Sequence, residues 1–196
     1  FSRDGTTLAA GGKHGGTLAV VTLWNVGNGA LKATLNDTNA EIWSLSFGAN
    51  GELAAATARG DAWGQVVVWK QGGAPASREF MHGAHAVAFT ADGKRLAAAG
   101  SWLDDEEDDI AAGDVVRVWG MRSGEQIREV TAKAPRAHGM ALTYDPTGTR
   151  LVEGSNDGAI RVWSQGDPVP QVLEGHAGPV RSLAFTPDRK AIVSAG

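Results

Sequence analysis

The chain has 196 residues, 42% of them hydrophobic and 20% charged, with 27 Gly, 7 Pro and no Cys. A formal net charge of −4 (18 basic, 22 acidic) argues against a general nucleic-acid binder, and the lack of Cys excludes disulfides, thiolate zinc sites and a cysteine nucleophile. No apolar run approaches the ~18 residues of a membrane-spanning helix, and Phe1-Ser-Arg-Asp-Gly5 has no signal-peptide pattern, so no membrane partner is expected and a cytoplasmic location is weakly favoured.

In chain order, the first signal is an aromatic followed by a turn dipeptide: Phe1 with Asp4-Gly5, Phe47 with Asn50-Gly51, Phe89 with Asp92-Gly93 and Tyr144 with Thr147-Gly148. In a fifth copy Phe185 is followed by Asp188-Arg189, without the Gly. The aromatics recur about 41–55 residues apart, in the range of repeat architectures. A second marker keeps step with the first, a β-branched run ending in Trp24, Trp69, Trp119 and Trp163.

Each unit reads as four short strands. Strand a ends at the aromatic (42–47, 84–89, 138–144, 179–185). The turn Gly supplies a positive φ, and a Leu/Ala-rich strand b follows (8–11, 53–56, 96–99, 151–154, 192–195). Strand c ends in Trp (20–24, 66–69, 115–119, 160–163), and strand d is a short, polar-flanked piece (31–35, 78–81, 127–131, 171–173). No window is left for an amphipathic helix. Strands b and c are apolar on both faces, which calls for sheets covered on both sides. The predicted fold is all-β: a β-propeller of radially arranged four-stranded antiparallel blades, about four blades and part of a fifth. The approximate repeat units are 1–39, 40–83, 84–137, 138–178 and 179–196.

These motifs resemble the WD-repeat family of β-propellers. The fourth unit is closest, with Tyr144-Asp-Pro-Thr-Gly-Thr-Arg-Leu151, Gly154-Ser-Asn-Asp-Gly158, Ile160-Arg-Val-Trp163 and then Gly175-His176. The resemblance implies structural roles for Trp24, Trp69, Trp119, Trp163, Asp157, His176 and Ser194. At the strand-b position where the family places Ser or Thr stand Ala10, Ala55, Ala98 and Glu153, so packing between sheets is expected to supply most of the stability. Both ends fall inside a unit. The expectation is an arc of a larger propeller, completed by further blades or by self-association.

The Phe/Tyr-to-Trp distance is shortest in unit four, so units one to three carry b–c insertions of 4, 3 and 11 residues. In the family resembled, b–c and d–a loops share one rim, and loops on a rigid scaffold concentrate recognition residues. The largest insertion, 101–114, has seven carboxylates and no base, and leaves 15 acidic against 18 basic residues elsewhere. It reads first as a solvated loop held open by self-repulsion, second as a finger steering a basic partner, third as a Ca²⁺ site without EF-hand glycine spacing. Trp63 and Trp102 are placed in inserted loops outside the repeat, near Arg59, Asp61 and Asp104, where indoles serve as interface anchors or fold over their own loop. All five His are expected at this rim, in structural or solvated roles.

No nucleophile elbow, zincin helix or phosphate loop is present, so no catalytic residue, metal or cofactor is assigned. The leading expectation is a non-catalytic scaffold or sensor module, part of a longer multidomain protein, that binds a protein or peptide, a basic one in the charge reading. The rim would carry Arg59, Asp61, Trp63, Trp102, Asp104, Asp105, Glu106, Glu107, Asp108, Asp109, Arg136 and His138. The competing class is a propeller hydrolase or oxidoreductase with a metal or cofactor in its central channel.

Overall fold

The computed structural model describes residues 1–14, 17–38, 40–59, 63–70, 76–81, 83–102, 113–132, 134, 137–186 and 188–196. Within them the chain is all-β. The first sheet holds β1 (Thr7–His14), β2 (Thr17–Asn25) and β3 (Leu31–Thr38). The second holds β4 (Glu41–Phe47), β5 (Leu53–Arg59), β6 (Trp63–Trp69) and β7 (Ala76–Met81). The third holds β8 (Ala84–Phe89), β9 (Arg95–Trp102), β10 (Gly113–Gly120) and β11 (Gln126–Ala132). The fourth holds β12 (Gly139–Tyr144), β13 (Arg150–Ser155), β14 (Ile160–Ser164) and β15 (Gln171–Leu173), and the fifth only β16 (Ser182–Phe185) and β17 (Ile192–Ala195). Pairing is antiparallel in chain order; β1 neighbours β4, and from the second sheet on strand a neighbours strand a of the next (β4, β8, β12, β16), so the sheets fan about an axis without closing a ring.

The turn glycines do what their spacing requires. Gly5, Gly51, Gly93 and Gly148 have φ of 70, 79, 68 and 73°. In the fifth copy Arg189 takes the same place at φ 64°, the one non-glycine with positive φ among the described residues. The turn acids complete the geometry. Asp92 Oδ1 accepts from the Thr90 hydroxyl at 2.7 Å and the Lys94 amide at 3.0 Å, and Asp188 Oδ1 likewise from Thr186 and Lys190 at 2.6 and 3.1 Å.

Period-2 alternation explains why strands b and c are apolar throughout. Leu53, Ala55, Val67 and Trp69 pack with Val21, Ala9 and Leu23 of the first sheet; Ala54, Ala56, Val66 and Val68 turn the other way onto Phe89, Leu96, Ala98 and Trp119 of the third. On the opposite face of the third sheet, Ala97, Ala99, Val116 and Val118 meet Leu151 and Trp163, and Val152 and Ile160 continue onto Val180 of the fifth unit. Each full sheet is thus sandwiched, and each strand-c Trp faces the sheet before it. Trp69, Trp119 and Trp163 are buried in this way, whereas Trp24, with no described sheet on that face, is 37% exposed. The alanines of strand b permit close approach of neighbouring sheets. At Gly64 a Cβ would lie 2.2 Å from the Ala84 nitrogen of the next sheet, so only glycine fits there.

The structure corrects one expectation. Strands b and c are longer than their sequence cores, because the insertions become extra rungs of the b–c ladder. In the second sheet the ladder runs from Leu53↔Trp69 to Arg59↔Trp63, and in the third from Arg95↔Gly120 to Trp102↔Gly113. The fourth sheet, without an insertion, pairs only Arg150↔Ser164 to Gly154↔Ile160. Trp63 and Trp102 therefore stand on strand ends, not in loops. Asp114, counted with the acidic run, is the second residue of β10 and is buried.

Candidate functional site at the inner rim

The inner strands β4, β8 and β12 share an irregularity that alternation does not reveal. In β4, Ile42 pairs with Thr57 and Ser44 with Ala56, leaving Trp43 unpaired. In β8, Ala84 pairs with Gly100 and Ala86 with Ala99, leaving His85 over; in β12 Gly139 pairs with Ser155 and Ala141 with Gly154, leaving Met140. One extra residue against one partner is a β-bulge, and bulges re-aim the side chain they carry. Three successive sheets thus place a bulged residue at the same level of their inner strand, next to the b–c and d–a connections.

Two of these residues meet a third ring. The Trp43 indole and His85 imidazole lie 5.2 Å apart at 88°, edge to face, and His85 lies 5.0 Å from His138 at 41°. Such separations suit favourable aromatic pairing. His138 is held by the b–c turn of its own sheet: its amide donates to Asn156 Oδ1 at 2.8 Å, while its carbonyl accepts from the Asn156 amide at 3.1 Å and the Ser155 hydroxyl at 3.2 Å. Ser44 and Ser46 fasten β4 to β8, their hydroxyls accepting from the Val87 and Phe89 amides at 3.3 and 3.2 Å. The strands that carry the wall are thus fastened by hydrogen bonds to backbone groups as well as by the ring contacts.

Its electrostatics follow from burial. Burial, and then the neighbouring His138, lower the His85 pKa to about 4, so the ring is neutral at physiological pH. Its Nδ1 is buried without a hydrogen-bond partner. Trp43, at the open end, is 51% exposed and offers an indole face to solvent. Among the described residues no group of three or more His, Asp or Glu is arranged to hold a metal ion.

Of the rim residues named from sequence, His138 is part of this wall. Arg59 and Trp63 face each other across the last rung of the β5–β6 ladder, and Trp102 faces Gly113. Their backbones thereby reach the rim, while their side chains fall outside the described ones. Asp61, the run Asp104, Asp105, Glu106, Glu107, Asp108 and Asp109, and Arg136 lie outside the described residues, as does His82. His176 Nε2 and Ser194 Oγ are 2.8 Å apart, and Asp157 pairs with Arg161 through both carboxylate oxygens. Sequence reading missed Trp43, His85 and Met140 as a set. The available signal was their common offset from the aromatic that ends strand a, four residues in each case.

Comparison with known proteins agrees with this architecture. The family model for the WD domain, G-beta repeat, matches residues 168–196. The chain is 37% identical over 78 residues to WD repeat-containing protein 90 of Mus musculus, covering 38% of this chain and 4% of that protein. It is 32% identical over 81 residues to the DENN domain and WD repeat-containing protein SCD1 of Arabidopsis thaliana, covering 41% of this chain and 6% of that one. With the meiotic recombination protein rec14 of Schizosaccharomyces pombe it shares 33% identity over 82 residues, covering 41% and 26%. The matches thus span about a quarter or less of these relatives' own lengths. Stacked antiparallel blades, a strand-c Trp in each of four sheets and these matches make the chain similar to WD-repeat proteins, with the family model itself matching residues 168–196.

Proposed function

We propose that this chain is a non-catalytic binding module that takes a protein or peptide segment, basic in character, at the rim formed by its b–c and d–a connections. The observation that carries the reading is the row of bulged residues ending in half-exposed Trp43, which meets His85 edge to face, with His85 in turn against His138. A fixed indole face supplies binding area at small entropic cost and accepts cations, and backbone anchoring of the wall lowers the cost of ordering on association. From the sequence, Arg59, Asp61, Trp63, Trp102, Arg136 and the acidic run 104–109 are the further residues proposed to take part in binding. Six clustered carboxylates set orientation and association rate for a basic partner and make binding salt-sensitive. The names of the relatives support the interaction role only in general.

The test is a binding titration of unstructured basic and acidic peptides of equal length. Basic peptides bind, Trp43→Ala weakens binding about tenfold or more, as at interface hot spots, and replacing the six acids of 104–109 by Asn or Gln slows association and flattens the salt dependence. Equal affinity for both peptide classes, or unchanged affinity in Trp43→Ala, rejects the proposal.

A further inference from the structure

The junction between the third and fourth sheets buries ionisable side chains that the rim does not use. Asp114 on β10 is 1% exposed, Glu153 on β13 is 0% and Arg161 on β14 is 4%. Arg161 Nη1 lies 3.3 Å from Asp114 Oδ2 across the junction and 3.3 Å from Asp157 Oδ1, and its Nη2 donates to Asp157 Oδ2. The guanidinium is thereby committed to Asp114 Oδ2 and to Asp157, in the β13–β14 turn. Asp114 Oδ1 and both Glu153 oxygens remain buried with no hydrogen-bond donor.

Glu153 holds the strand-b position occupied by Ala10, Ala55 and Ala98 in the first three units. Room for it comes from Gly139 on the inner strand β12, where a Cβ would fall 2.1 Å from Glu153 Oε1 and 2.6 Å from the Ala99 Cβ of the third sheet. The carboxyl is wedged against the neighbouring blade with no route to water. If Glu153 were ionised, it would add a second negative charge beside Asp114, with one shared cation and both of its own oxygens facing no donor. One proton resolves this: a neutral Glu153 donates its O–H to an Asp114 oxygen, and the charges left are Asp114, Asp157 and Arg161.

We propose that Glu153 and Asp114 share a single proton across this junction, and that the proton latches the third sheet to the fourth, so that the junction loosens as pH rises. The groups facing Glu153 account for the direction. They are Asp114 from β10, Arg161 from β14 and Asp157 from the turn, with the uncharged Gly139 backbone on β12 and Ala99 on β9. Burial first, and the negative Asp114 second, hold the Glu153 carboxyl well above the usual carboxylate range; burial also raises Asp114, opposed by its bond to Glu153, by Arg161 and by the Gly139 amide. The folded chain therefore keeps a proton that the unfolded chain releases above roughly pH 4.3. This contribution to stability is complete below that pH and is lost progressively as pH rises through the folded pKa.

The experiment uses the full chain and compares wild type with Glu153→Gln between pH 5 and 8.5. The carboxamide is neutral at every pH and can donate to Asp114, so it mimics the protonated acid. Glu153→Gln is expected to melt close to wild type at pH 5 and about 3–6 °C above it at pH 8. At pH 8 the amides of β10, β12 and β13 exchange more slowly in the variant than in wild type at the same pH. A Tm difference that does not change with pH overturns the proposal, and exchange that slows equally in all sheets overturns its assignment to this junction. Infrared spectroscopy gives an answer independent of the variant. Wild type at pH 6 shows the carbonyl stretch of a protonated, water-excluded carboxyl, and absence of that band rejects the shared proton.

Discussion

At Arg189 one residue carries a conformation that glycine supplies in the four sister turns. Its φ of 64° is in the left-handed region, where a Cβ crowds the following carbonyl. Arg189→Gly is expected to stabilise the chain by about 0.5–1 kcal/mol, the relieved strain exceeding the added freedom of the unfolded chain, as read from a urea titration. His85 makes a pH-dependent prediction of opposite sign to Glu153. Its folded pKa of about 4 lies below the ordinary 6.5, so its contribution is complete above 6.5 and is lost as pH falls toward 4. An NMR titration following the His85 ring should give a midpoint near 4, and a midpoint near 6.5 would mean that the ring is solvated. The turn positions were legible in the sequence because Asp-Gly and Asn-Gly carry a backbone requirement within themselves. The burial of Asp114 and Glu153 was not, since a carboxylate in a strand gives no local sign of which sheet packs over it.

At the scale of the element, strand identity was readable and strand length was not. Val-Val-Val-Trp69 and Ile-Arg-Val-Trp163 have the composition of buried strands, and the structure has strands there. The insertions in units one to three read as loops because they show only as extra residues between the aromatic and the Trp of each unit, measured against unit four. In the structure the b–c hairpin extends toward Trp63 and Trp102, since pairing backbone groups with each other is better than leaving a long hairpin open. Bulges at Trp43, His85 and Met140 were invisible for a different reason: one extra residue shifts the alternation by a single step, and short strands give no room to see it. Close approach between elements is tested at Gly64. Gly64→Ala drives a Cβ into the backbone at Gly83 and Ala84 and is expected to cost about 2–3 kcal/mol. Gly12→Ala, on β1 with nothing within 4 Å, is expected to leave stability unchanged or slightly raised. Equal effects of the two substitutions in chemical denaturation would show that the second and third sheets are not seated as described.

For the molecule as a whole, stability should follow the sandwiching. Strands β5, β6, β9 and β10 lie in sheets covered on both faces, with Ala54, Ala55, Ala56, Val66, Leu96, Ala97, Ala98 and Val116 fully buried. The first sheet exposes Leu8 and Leu31, and the fifth unit exposes Val193. Hydrogen exchange is expected to be slowest in β5, β6, β9 and β10 and fastest in β1, β3, β16 and β17. Uniform protection from β1 to β17 would contradict a stack of nearest-neighbour interfaces.

The orientation of the strand-c tryptophans gives this stack a polarity. The indoles of Trp69, Trp119 and Trp163 each plug the sheet that precedes them, so a full sheet presents a peg on one side and a socket on the other. Growth of such an array can only be head-to-tail. Two pegs or two sockets brought together leave an indole unmatched or a recess unfilled, and Trp24 marks the side on which the peg stands uncovered.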